Sequence, residues 1–128
     1  MSGWDPAATA LLHVLPQAAR GPRREGIFAL WLTVRVAQDL LQDPPPADRA
    51  HRRRLQAQEH RLSSLTVPPP LRRALVAALH QLKDGRPEAA AQVLSQLVAP
   101  ARETGGTEAG DALAQAARAA RAAVRAGR

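Results

Sequence analysis

The chain has no cysteine and no tyrosine, a single lysine, and only three aromatic residues: Trp4, Phe28 and Trp31. Without cysteine there is no disulfide framework, no thiolate zinc site and no cysteine nucleophile. The shortage of aromatics leaves alanine, leucine and valine to build the core, which argues against a β-sandwich, because strands prefer aromatic and β-branched residues. No stretch alternates apolar and polar residues for long enough to make a strand. No run approaches the roughly 18 apolar residues of a membrane helix. Met1-Ser2-Gly3-Trp4-Asp5-Pro6 is not a basic leader followed by an apolar core, so the sequence predicts no signal peptide and an intracellular protein, nuclear or cytoplasmic.

What is present points to helices. The 128 residues suffice for one domain, with 45% apolar residues to fill it. Prolines and glycines divide the chain into pieces of helical length. Asp5-Pro6 reads as an N-cap with a first-turn proline, opening a helix over about 6–19 with Ala7, Leu11, Val14, Leu15 and Ala18 in register. Residues 23–43 are the most apolar segment. Ile27, Leu30, Trp31, Val34 and Leu41 form one stripe there, and Phe28, Leu32, Val36 and Leu40 a second. A helix apolar on two faces belongs at the centre of a bundle. Two triple prolines, Pro44–Pro46 and Pro68–Pro70, read as stiff corners rather than polyproline ligands.

Between these corners, residues 47–65 place His51, Leu55, Gln58, Leu62 and Leu65 on a narrow inner edge. Arg49, Arg52, Arg53, Gln56 and His60 gather opposite them. Residues 69–83 carry Leu71, Leu75, Ala78, Leu79 and Leu82 on one face, and Asp84-Gly85 ends that helix. A helix over 86–99 turns Ala90, Val93, Leu94 and Leu97 inward. The segment 100–106, with Pro100, Gly105 and Gly106, is expected as a loop. A last helix, 107–126, capped by Thr107 or Asp111, has Leu113, Ala116, Ala117, Ala120 and Val124 on one side and Arg118, Arg121, Arg125 and Arg128 on the other. The reading is all-α: a single domain over 1–128, a five- to six-helix bundle over about 23–126 with an extra N-terminal helix. Trp31, Leu30, Val34, Leu75, Leu79, Val93 and Leu97 are its predicted core.

No catalytic constellation emerges. His51 and His60 lie nine positions apart, about 180° around one helix, and cannot share a metal from it. The carboxylates Asp5, Asp43, Asp84, Glu88 and Asp111 fall at predicted helix ends, where capping and the helix dipole place them. Thr104-Gly105-Gly106-Thr107 lacks the lysine and the preceding strand of a phosphate loop, and no serine sits in a nucleophile elbow. The expectation is a non-enzyme without cofactor or metal.

The charge is unevenly spread. Its 18 basic and 11 acidic residues give a net +7. Residues 1–45 balance at zero, 46–85 carry eight bases against three acids, and 86–128 carry six against four. Either the arginine excess reflects a GC-rich coding sequence, or it serves an anionic partner. The candidate contact residues are Arg49, Arg52, Arg53 and His60 on one helix and Arg118, Arg121 and Arg125 on another. Their partner would be a protein, with an acidic surface or a second copy of this chain, and nucleic acid the second choice. No aromatic accompanies either cluster, so bases find no stacking platform there.

The order Arg53-Arg54-Leu55, then Pro70-Leu71-Arg72-Arg73, Leu75, Leu79 and His80-Gln81-Leu82, then Arg86-Pro87-Glu88-Ala89-Ala90 with Val93 and Leu97, resembles a known family over about residues 50–98. This is the helical domain shared by the steroid receptor RNA activator protein and the C-terminal part of the large outer subunit of the COPII coat. The resemblance implies a five-helix bundle that serves as a protein-interaction module in coregulation or coat assembly, with no catalytic residues. The chain departs from that family at Pro87, where a tryptophan is usual, and in its alanine- and arginine-rich last helix. The hairpin with Ala78, Gly85, Ala90 and Leu94 also resembles one tetratricopeptide repeat, a unit that is not stable alone.

Overall fold

Prolines open two of the helices, as their missing N–H groups allow. In the computed structural model, which describes residues 24–41 and 48–126, the helices are α1 (Arg24–Asp39), α2 (Asp48–Ser64), α3 (Pro69–Leu82), α4 (Pro87–Gln96) and α5 (Val98–Ala126). Every element among the described residues is helical, so the fold is all-α. The expected helix 6–19 and the corner Pro44–Pro46 lie outside the described residues.

The apolar stripes meet in one core. Ile27, Leu30 and Val34 from α1, Leu55 and Leu62 from α2, and Leu71, Leu75, Leu79 and Leu82 from α3 are buried. Val93 and Leu94 from α4, Leu97 at the following turn, and Leu113 from α5 are buried with them. Alanines fill the closest approaches: Ala29, Ala37, Ala90, Ala101, Ala109, Ala116 and Ala120 are fully enclosed. The helix α1 packs on all four others, which places it centrally, and α4 with α5 forms the most extensive helix pair.

Its second apolar stripe is not a second buried face. Val36 and Leu40 are buried, but Phe28 is 40% exposed and Leu32 is half-covered. Trp31, expected in the core, is only half-buried and packs against its edge. The neighbours of α1 cover the arc holding Ile27, Leu30, Val34 and Ala37, and they leave the arc of Arg24, Phe28 and Arg35 open. Being central in topology does not require burial all round.

Among the described residues three polar side chains, Thr33, His51 and Gln58, are enclosed. Gln58 Nε2 donates to the Ala29 carbonyl at 3.1 Å and to Thr33 Oγ1 at 3.1 Å, while Thr33 Oγ1 donates to the same carbonyl at 3.0 Å. These bonds hold α2 against α1. His51 Nε2 donates to Leu82 O at 2.7 Å, joining α2 to the end of α3. Arg72 turns back from α3 onto the carbonyls of Leu62, at 2.8 Å, and Leu65, satisfying acceptors that a helix end leaves open. Glu25 accepts from the Thr66 backbone N–H at 2.8 Å and so ties the α2–α3 connection to α1.

The loop expected over 100–106 is helix instead. Pro100 is the third residue of α5, where the missing N–H would have no intrahelical acceptor. The break narrows to one residue, Gly106, at φ 87° and ψ −178°. Asp111, proposed as a cap, is exposed and pairs with Arg102 across this break at 3.3 Å. Gly110 faces the same arginine so closely that a Cβ would lie 2.8 Å from Arg102 Cβ. The α3–α4 turn follows expectation, with Gly85 at φ 68° and its N–H on Leu82 O at 3.2 Å.

Candidate interaction surfaces

On α2 the residues opposite the buried edge are arginines. Arg49, Arg52, Arg53 and His60 are all exposed, as the helical period requires once His51, Leu55, Gln58 and Leu62 face inward. Arg54 is distinct from them, because its guanidinium is paired with Asp39 of α1. Lys83 and Glu59 form another surface pair at 3.1 Å.

The second arginine group lies on α5. Arg118, Arg121 and Arg125 are exposed, one turn apart. Arg121 and Arg125 flank an open depression of about 270 Å³ between α4 and α5, which is also lined by Glu88, Ala91, Gln92 and Val124. Arg121 donates to Ser95 Oγ, whose own proton goes to the Ala91 carbonyl at 3.3 Å. That relay leaves an oxygen lone pair for the guanidinium and holds it at the groove edge. The fold does not merge the two basic groups into one helix–helix contact, since α2 and α5 are not among the closely packed pairs.

A third surface went unanticipated. Phe28 and Trp31 stack on the open arc of α1, with ring centroids 6.1 Å apart and planes inclined by 25°. The Arg35 guanidinium lies over the Trp31 ring at 5.2 Å. Phe28 precedes Trp31 by one turn and Arg35 follows it by one turn, so the indole is flanked from both directions along the helix. Its Nε1 is enclosed and has no hydrogen-bond partner among the described residues. The signal was present in the sequence: Arg24, Phe28, Arg35 and Asp39 share one arc of α1, and charged residues on an arc mark it as the solvent side. The apolar residues of this arc, taken without its charges, look like a second core stripe.

Among the described residues, no group of three or more histidines, cysteines or carboxylates is arranged to hold a metal ion, and no helix is long and apolar enough to cross a membrane. No family model, curated protein or solved structure matches the chain.

Proposed function

We propose that this chain is a non-enzymatic protein–protein interaction module, an intracellular adaptor or a coregulator or assembly subunit. The observation that carries this reading is the Phe28–Trp31–Arg35 stack. A small protein with few aromatics places two of them on an open helix face beside an arginine. Tryptophan and arginine are enriched where alanine substitution costs most binding energy at protein interfaces. Stacked rings offer apolar area that is already ordered, so little side-chain entropy is lost on contact. The resemblance of residues 50–98 to a family of interaction modules agrees with this reading.

The alternative is a nucleic-acid-binding protein, favoured by the exposed Arg49, Arg52 and Arg53 on one face of α2. The aromatic pair supports it less. With Phe28 against the indole and Arg35 over it, the ring is already engaged where a base would stack.

Tagged protein incubated with cell extract, with and without nuclease, separates the two. A partner retained after nuclease and lost with Phe28→Ser supports the interaction module. A partner lost on nuclease treatment, together with oligonucleotide binding that survives about 0.15 M salt and disappears on reversing Arg52 and Arg53, replaces it with the alternative. Gel filtration against mass tells whether the partner is a second copy.

A further inference from the structure

We propose that the groove between α4 and α5 receives an acidic, helical segment of the partner protein, with a partner carboxylate on Arg121. This rests on the interaction reading above and assigns a chemistry to a second surface of the same module.

The argument starts from size and shape. At about 270 Å³ and open to solvent, the groove is smaller than the roughly 300–1,000 Å³ of enclosed small-molecule sites, and it suits one or two side chains of a larger partner. Its floor is Ala91 and Val124, and its rim is Arg121, Arg125 and the Gln92 amide. An apolar floor with a cationic rim matches a helix that presents small aliphatic residues beside carboxylates. A nucleotide would find no aromatic among the described lining residues to stack on.

Charge gives the polarity of the seat. Arg118, Arg121 and Arg125 follow one another along the end of α5, while Glu88 is the only carboxylate among the described lining residues. Glu88 opens α4 and Ser95 lies near its end, so the lining carboxylate and the Ser95-bound Arg121 mark different ends of the groove. An incoming carboxylate belongs at the second end, where Ser95 holds the Arg121 guanidinium. Ser95 makes this end selective. It engages one donor of the exposed Arg121 guanidinium, so a carboxylate meets a pre-positioned side chain and less side-chain entropy is lost.

The test is fluorescence anisotropy with a labelled synthetic helix carrying glutamate along one edge and leucine and alanine beside it. A twin with glutamine for glutamate is the comparator. At about 0.15 M salt the glutamate peptide binds saturably, and the glutamine twin binds at least about tenfold more weakly. Reversing Arg121→Glu with Arg125→Glu weakens the glutamate peptide by about tenfold or more. Reversing Arg52→Glu with Arg53→Glu, the same change in net charge on α2, alters it by less than about twofold. Ser95→Ala keeps every charge and still weakens binding by about threefold, because the guanidinium loses its anchor. Circular dichroism checks that each variant folds, and Ser95→Ala keeps the test open if the double reversal does not. Equal losses from the two double reversals overturn the proposal, as does an unaffected Ser95→Ala variant, or an oligonucleotide that displaces the peptide from the wild-type protein at this salt. If the peptide fails while the extract partner still depends on Phe28, the groove assignment falls and the interaction module stands.

Discussion

At the residue scale, burial separates side chains that the sequence presents as equals. Leu30 is fully enclosed between α1 and its neighbours, whereas Phe28, two positions earlier on the same helix, is 40% exposed. Leu30→Ala and Leu79→Ala should each cost about 2–5 kcal/mol, since each opens a cavity in packed surroundings. Phe28→Ser should cost less, about 1–2 kcal/mol, because the ring is 40% exposed and its removal opens no enclosed cavity. Urea unfolding of the three variants checks this ordering, and a Phe28→Ser loss as large as that of Leu30→Ala would place the ring in the core. Gln58 belongs at this scale too. Replacing it with leucine keeps the volume but removes both donors that reach Ala29 and Thr33. The Thr33 hydroxyl still donates to the Ala29 carbonyl, so the expected loss is moderate, about 1–3 kcal/mol by the same measurement.

At the element scale, α5 shows how one glycine substitutes for a loop. Gly106 takes φ 87° and ψ −178°, a region that side-chain-bearing residues avoid. This single residue redirects the helix, while Arg102 reaches across to Asp111 and seals against Gly110. Gly106→Ala should therefore destabilise by about 1–3 kcal/mol through backbone strain, as no described residue lies within 4 Å of its missing Cβ. Gly110→Ala acts by a different route, through the 2.8 Å approach of Arg102 Cβ. Combining Gly110→Ala with Arg102→Ala leaves that clash in place, because the atom approached is the Cβ, whereas Arg102→Gly relieves it. Thermal melting of the single and double variants distinguishes strain from contact. Should Gly106→Ala melt like the parent, the kink is not held in this conformation in solution.

At the scale of the whole molecule, the net charge of +7 and the helical core are nearly independent. The arginines of α2 and the end of α5 lie outside the packed interior. Reversing Arg52 and Arg53 together should leave the far-UV spectrum and the melting temperature almost unchanged, because exposed charges contribute little to folding. The same variant should reduce non-specific retention on heparin or DNA resins at low salt, where a basic protein's long-range field acts. A melting temperature that falls as far as it does for Leu79→Ala would show that these side chains are structural.

Much of the fold was legible before any contact was known. The period of leucines and alanines marks the inner side of α2, α3, α4 and the end of α5, and Pro69, Pro87 and Gly85 mark where helices begin and stop. These are local consequences of side-chain polarity and backbone freedom, and the sequence alone determines them. The exposure of the seven basic candidates follows from the same period. The tertiary structure decided the rest. Pro100 sits inside a helix because the preceding turn at Leu97 places it in the first turn of α5, where its missing N–H costs nothing. Ser95 meets Arg121 because α4 and α5 pack together, a pairing that no spacing along the chain encodes. Above all, the charges Arg24, Arg35 and Asp39 mark the outer arc of α1 in the sequence, but only the packing chose how much of the apolar surface beside them stays open. That choice depended on how many helices fit around α1 and where the neighbouring backbones end. They close over Ile27, Leu30 and Val34 and stop short of Phe28 and Arg35, because a helix surrounded by only part of a bundle keeps one arc in water.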